Sequence, residues 1–180
     1  MRVLPTTLAG VMLLEPKVIG DDRGFFLESY NRKIFAELGI HEEFVQDNHS
    51  FSVRNTLRGL HYQVRFTQGK LIRVVVGEIL DVAVDLRRHS PTFGGSETFA
   101  LSAENKRMAW IPAGFAHGFR VISETAQVLY KTTDIYSPQD ERTLAWNDPE
   151  LKFDWRLDGP PILSPKDQKG RSLRDAEIFE

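Results

Sequence analysis

The sequence contains no cysteine. Neither a disulfide framework nor a thiolate metal site is therefore available, and a secreted scaffold stapled by disulfides is excluded. No stretch approaches the ~18 consecutive apolar residues that a membrane helix needs. The N-terminal stretch "MRVLPTTLAGVMLLEPKVIGDD" has only a short apolar run, interrupted by Pro5 and Pro16 and followed by no small-residue cleavage pattern, so no targeting segment is expected. Charge of either sign is not in excess: 23 Lys and Arg against 25 Asp and Glu give a formal net charge of -2. With no long basic run, this predicts binding neither to nucleic acid nor to an anionic membrane surface, and leaves room for a small charged ligand. Repeats and low-complexity linkers are also missing. What is there, 180 residues of which 41% are hydrophobic, suits one domain over residues 1–180 with a proper core, in the cytoplasm.

The clearest helix signal is "NRKIFAELG". Asn31 is a good N-cap, Ile34, Phe35 and Leu38 share a face, and Gly39 suits the position just past the end. Everything around it reads as strand. In "LIRVVVGEILDVAVDL", two β-branched runs meet at Gly77-Glu78, a Gly-X pair that predicts a type II′ hairpin. In the second run Leu80, Val82, Val84 and Leu86 form a fully apolar row. Further strands are expected at "ETFALS", "RMAWIP", "HGFRVI" and "AQVLYKTTDIY", separated by turn residues such as Ser90-Pro91 and Pro112-Ala113-Gly114. Many short strands at this spacing predict an all-β protein, a jelly roll before other closed or double-sheet forms. The last stretch, "RLDGPPILSPKDQKGRSLRDAEIFE", reads as an extended wrap over it.

Chemistry-bearing side chains recur along these strands. In "TLRGLHYQ", Arg58 and His61 are three apart and would point to opposite faces of a regular strand. Gly59 between them is a bulge signal, and one extra residue would turn both to the same side. The alternative is an edge-strand arginine and a packed histidine. Lys70 heads the row continued by Ile72 and Val74, either as a snorkelling end residue or as an ammonium at a pocket mouth that stabilises a developing oxyanion. His117 shares a face with Phe119 and Val121, and Tyr130 with Val128 and Thr132; each is a core side chain or a site residue. Asp167 in "LSPKDQKG" is either solvated surface or the partner of a histidine. A cupin-type metal site wants two histidines separated by one residue, but His61 is followed by Tyr62 and Gln63. His49, His61 and His117 remain as three candidate ligands, and metal-free acid–base chemistry is the favoured reading.

The blocks "DDRGFFLESYN", "FVQDNHS", "LRGLHYQ", "QGKLIRVVVGEILDVAVDLRRHSPTFG", "LSAENKRMAWIPAGFAHGF", "YKTTDIY", "WNDPEL" and "LSPKD", in this order and over nearly the whole chain, resemble the dTDP-4-dehydrorhamnose 3,5-epimerases. One departure is "GGSETF", where that family would carry an aromatic near Ser96. The resemblance implies a cupin-type jelly-roll barrel with short peripheral helices. It implies a homodimer whose N-terminal strands pair across subunits, and no metal or organic cofactor. Its substrate would be a dTDP-4-keto-6-deoxy-hexose. By the same resemblance His61 is the general base, oriented by Asp167; Lys70 stabilises the enolate; Tyr130 returns the proton. Arg23, Glu28, Gln46, Asp47, Asn48, Arg58, His117, Glu141 and Lys166 match nucleotide-sugar binding positions, and Tyr136 matches a tyrosine that stacks on thymine.

The chemistry of such a substrate accounts for these roles. Carbons 3 and 5 flank the same C4 ketone, so loss of either proton puts the charge on one oxygen, and one oxyanion site serves both inversions. A neutral histidine suits the base, its ordinary pKa being about 6.5. Inversion needs a proton delivered to the opposite face, and a tyrosine with an ordinary pKa near 10 keeps one to give. Arg58 and Arg23 can grip a pyrophosphate through planar, multi-donor contacts. Two rivals follow: an epimerase that inverts only carbon 3 or only carbon 5, and a non-catalytic cupin-like module that binds sugar or metal.

Overall fold

The β-branched runs do become strands. The computed structural model describes residues 1–180, with thirteen strands and one α-helix. In chain order these are β1 (Arg2–Leu4), β2 (Met12–Glu15), β3 (Val18–Asp21), β4 (Gly24–Leu27), α1 (Arg32–Glu37), β5 (Gln46–Val53), β6 (Leu57–Gln63) and β7 (Lys70–Val76). They continue as β8 (Glu78–Asp85), β9 (Ser96–Ser102), β10 (Met108–Ile111), β11 (Phe115–Val121), β12 (Thr125–Thr132) and β13 (Glu141–Thr143), with 3₁₀ turns at Asp167–Lys169 and Leu173–Asp175. One sheet runs β1-β2-β10-β7-β12-β5 and the other β13-β6-β11-β8-β9, while β3 and β4 form a separate hairpin. The inner eight strands, β5 to β12, fall into the two four-stranded orders of a jelly roll, as expected for a cupin-type barrel. No helix is long and apolar enough to cross a membrane.

The helix signal holds in detail. Asn31 Oδ1 accepts hydrogen bonds from the backbone N–H groups of Lys33 and Ile34, and Gly39 has φ +90, a left-handed conformation that ends the helix. The helix is too short to stand alone. It is held by Phe35, which is buried with Leu14, Leu71, Met108 and Trp110 on the outer face of the first sheet.

Burial on two sides of each sheet explains the long apolar runs. Between the sheets lie Ile72, Val74, Ile79, Ala83, Phe115, Phe119 and Val128. On the outer face of the second sheet, Leu57, Leu60, Tyr62, Val82, Val84 and Leu86 pack against Trp155, Leu163, Ile178 and Phe179 of the C-terminal segment. That segment is the expected wrap, tied down by bridges Thr56–Ile162, Leu144–Arg171 and Arg87–Phe179.

The predicted hairpin at Gly77-Glu78 is not formed. β7 pairs with β10 and β12, whereas β8 pairs with β9 and β11, so the chain turns a corner from one sheet to the other. Gly77 has φ +75, and a Cβ there would fall 2.0 Å from the Thr125 carbonyl oxygen. The local pattern is the same for a hairpin and for a corner; only long-range pairing separates them. The run "AQVLYKTTDIY" also ends as a strand at Thr132, leaving Tyr136 in a loop.

Candidate active site

The bulge in "LRGLHYQ" is present. Arg58 lies opposite Phe119 and His61 opposite His117, so the strand fits one residue more than its partner between the two pairs. Leu57, Leu60 and Tyr62 consequently all face the C-terminal segment, while Arg58 and His61 both line a cavity between the sheets. Gly59, with φ +124, has no room for a side chain: a Cβ would lie 2.6 Å from Gly118 Cα and 2.8 Å from the His117 carbonyl oxygen.

The cavity, about 320 Å³, is lined mostly by polar residues. Gln46, Asn48, Lys70 and Tyr130 reach it from the first sheet; Arg58, His61, His117 and Glu141 from the second; Tyr136 and Lys166 from loops. Asp167 stands behind His61. His61 Nε2 is 2.5 Å from Asp167 Oδ1, so the imidazole donates there and its other nitrogen is left to take a proton. Asp167 is only 3% exposed and also accepts from Ser164 Oγ at 2.7 Å and from the Gly59 N–H at 3.3 Å. Burial works to raise the Asp167 pKa, but the bonds from His61 and Ser164 outweigh it and hold the carboxyl below its ordinary value. Burial lowers the His61 pKa, with Asp167 partly opposing and the nearby Lys166 and Lys70 charges adding to the drop. The histidine is thus kept neutral, as a base requires.

Lys70 heads its apolar row as a buried ammonium, donating to the His61 carbonyl oxygen at 3.3 Å. Burial lowers its pKa to about 8, against the opposing charges of Glu141 and Asp81. Tyr130 is raised by burial, a shift that Arg58 partly offsets, so its phenol stays protonated. Arg58 is pinned by Nε to Ser52 Oγ at 3.0 Å and by Nη2 to the Phe51 carbonyl oxygen at 3.3 Å, with further N–H groups left for a ligand.

At the mouth, the Tyr136 hydroxyl donates to Glu141 at 2.8 Å, and Lys166 Nζ reaches the other Glu141 oxygen at 2.7 Å. Tyr136 N–H donates to Gln46 Oε1 at 2.9 Å. Burial would raise Glu141, but the Lys166 and Tyr136 bonds bring its pKa down.

Several features were not read from the sequence. His117 Nε2 lies 2.7 Å from Oδ2 of Asp81, a wholly buried carboxylate in the row Ile79, Asp81, Ala83. Two carboxylates, Asp81 and Asp85, in an otherwise apolar row were the available signal. Gln63, buried, donates to the Phe66 and Ile135 carbonyls and accepts from Ser137 N–H, fixing the loops around the mouth. Ser50 and Gln68 line the cavity as well.

Three expected binding residues lie outside the cavity of this chain. Arg23 is at the tip of the β3–β4 hairpin, paired with Asp21 at 2.5 Å; Glu28 accepts from Asn31 at 2.8 Å; Asp47, on the outward face of β5, pairs with Lys131 at 3.0 Å. The candidate histidine triad is not assembled either. His49 Nε2 is bonded to Gln127, and no group of three or more His, Asp or Glu side chains is placed to hold a metal ion.

The arrangement can remove a proton beside a carbonyl with His61, hold the oxyanion near Lys70, and return a proton from Tyr130 on the opposing wall. Comparisons with known proteins place the chain in a family. The family model for dTDP-4-dehydrorhamnose 3,5-epimerase matches residues 5–175. The dTDP-4-dehydrorhamnose 3,5-epimerase of Pseudomonas aeruginosa is 59% identical over 180 residues, covering 99% of both chains. That of Shigella flexneri is 52% identical, again over 99% of both. The crystal structure of the Legionella pneumophila dTDP-6-deoxy-D-glucose-3,5-epimerase, in complex with dTDP-4-keto-L-rhamnose, superposes with a TM-score of 0.95 at 49% identity, covering 98% of this chain and 94% of that one. On the matched length, the identities and the shared jelly roll, the chain belongs to the dTDP-4-dehydrorhamnose 3,5-epimerase family.

Proposed function

We propose that this cavity converts dTDP-4-dehydro-6-deoxy-D-glucose to dTDP-4-dehydro-L-rhamnose by inverting carbons 3 and 5, with residues 1–180 acting as one epimerase unit in the cytoplasm. The observation that carries the reading is the placement of a base and an acid on opposing sheets across one cavity, His61 on β6 and Tyr130 on β12. His61 takes the proton from the carbon next to the C4 ketone, and the C–H electron pair becomes the enolate. Asp167, held ionised, stabilises the imidazolium that forms. The ketone oxygen carries the charge and meets the Lys70 ammonium in a wall that excludes water, where a charge-assisted hydrogen bond is strong. Tyr130 then protonates the other face. His61 then gives its proton to solvent and the Tyr130 phenolate takes one back, after which the second carbon is inverted at the same oxyanion site.

For the rest of the substrate, Arg58 offers guanidinium N–H groups to the pyrophosphate, and Tyr136 offers its ring to the thymine. Gln46, Asn48, His117, Glu141 and Lys166 complete the contacts. Arg23 and Glu28 lie at and beside an arm whose strands β3 and β4 are almost fully exposed, Phe25 at 62% and Phe26 at 67%. A second copy of the chain, packing on this apolar arm, would cover it and bring Arg23 to a cavity. A homodimer therefore belongs to the proposal.

The test is proton NMR of dTDP-4-keto-6-deoxyglucose with purified, chelator-treated protein in deuterated water. Deuterium at both carbon 3 and carbon 5 is expected. Label at one carbon only would make the protein a single epimerase, and no label with substrate bound would make it a binding module.

A further inference from the structure

Two buried side-chain polar atoms have no hydrogen-bond partner, Ser50 Oγ and Asp81 Oδ1. Ser50 lines the cavity, third in the row Gln46, Asn48, Ser50 that alternates along β5. Its neighbours are satisfied. Gln46 Nε2 donates to Asn48 Oδ1 at 2.8 Å, and Ser52 Oγ accepts from Arg58. A buried hydroxyl left without a partner works against folding, because its bonds to water are lost and not replaced. An orphan hydroxyl in the wall of a ligand cavity is one that a ligand can complete.

Strand register places it. Ser50 lies opposite Val128, and Asn48 opposite Tyr130. Ser50 and Tyr130 are thus diagonal neighbours on one face, with backbones roughly 7–8 Å apart, within reach of a single sugar ring. The nucleotide end is elsewhere: Tyr136 is bonded to Gln46 at the start of the row, and four residues of strand put Ser50 roughly 13 Å further on.

We infer that Ser50 Oγ hydrogen-bonds the C2 hydroxyl of the 4-keto sugar and so fixes the ring while both neighbours of the ketone are inverted. The inference rests on the epimerase reading above. The choice of C2 follows from the reaction itself. The C3 hydroxyl changes direction when C3 inverts, C5 carries a methyl group that makes no hydrogen bond, and the C4 oxygen is the oxyanion. Of the ring carbons around the ketone, C2 alone keeps its hydroxyl and its configuration from substrate to product. A group fixed in the wall can hold that hydroxyl through both steps. Serine suits the task, since its hydroxyl both donates and accepts and turns among staggered rotamers.

The experiment compares wild type with Ser50→Ala on dTDP-4-keto-6-deoxyglucose and on its 2-deoxy analogue, following deuterium exchange by NMR and thermal unfolding in parallel. Expected is a roughly tenfold fall in kcat/KM for the variant on the parent sugar, a similar fall for wild type on the analogue, and less than about twofold between the two proteins on the analogue. The variant should melt no lower than wild type, because the hydroxyl it removes has no partner to lose. Equal losses on both sugars, or no loss on the parent sugar, would overturn the C2 contact and leave the epimerase reading standing. Wild type that exchanges protons on neither sugar would overturn the epimerase reading and this inference together. The wild-type comparison of the two sugars needs no variant and stands by itself if Ser50→Ala folds poorly.

Discussion

His61 and Tyr130 approach one cavity from opposing sheets, the first backed by the buried Asp167 and the second kept protonated by burial. On the proposed mechanism, a planar enolate between them would have a base on one face and an acid on the other, which is the geometry inversion requires. This separates two roles that a single residue could not fill.

Replacing each should therefore break a different step. His61→Ala is expected to lower deuterium exchange at both carbons by about 10²- to 10⁴-fold, whereas Tyr130→Phe should retain much of the exchange and lose inverted product. NMR in deuterated water reads both quantities at once. Equal and complete loss of exchange in the two variants would refute the division.

The pH profile should be bell-shaped, with limbs set by the cavity. His61 works neutral, and burial lowers its pKa, so activity should persist below the ordinary histidine range and its acid limb should inflect under pH 6.5. Lys70 works charged, and its pKa is about 8, so activity should fall as pH rises through that value. Lys70→Met should lose about 10²- to 10³-fold in rate and remove the alkaline limb, while the acid limb persists and moves to higher pH because the Lys70 charge no longer depresses the His61 pKa. An alkaline limb unchanged in that variant would show that another group carries the oxyanion.

Ser164 is expected to act through Asp167, to which it donates at 2.7 Å. Ser164→Ala should lower kcat roughly tenfold with little change in KM, and should move the acid limb of the pH profile. Ser164→Thr, which keeps the hydroxyl, should restore most of the activity. A loss confined to thermal stability, with the pH profile unmoved, would make Ser164 a purely structural residue.

Arg23 should work in trans. Arg23→Ala and His61→Ala are each expected to be nearly inactive alone. Mixed dimers contain one cavity with an intact His61 that faces the partner's intact arm, so a randomised mixture should recover about one quarter of wild-type activity. If Arg23 served its own chain, mixing would recover nothing.

Much of this site is legible in the sequence. The Asn31 cap, the Gly59 bulge and the shared face of Lys70, Ile72 and Val74 depend on residues a few positions apart, and the structure shows each of them. The corner at Gly77 could not be read, because a strand buried on both faces carries the same local pattern whichever strand it pairs with. The Asp81–His117 pair joins β8 to β11 across 36 positions and was visible only as a carboxylate out of place in an apolar row. The positions of Arg23, Glu28 and Asp47 depend on how the N-terminal arm and the outer sheet face lie, which motif spacing does not encode.

The C-terminal wrap ties the chemistry to completion of the chain. Asp167 lies 106 residues after His61, and at ribosomal rates of ~5–20 residues per second roughly 5–20 s separate the synthesis of the two. Strands β7 to β12 are themselves made within that interval, and Asp167 is made after the last of them. A chain terminated between residues 132 and 167 would hold every strand of the jelly roll and lack the carboxylate bonded to His61, and is expected to have little epimerase activity. Translation through the final segment is what supplies the proposed base with its carboxylate partner.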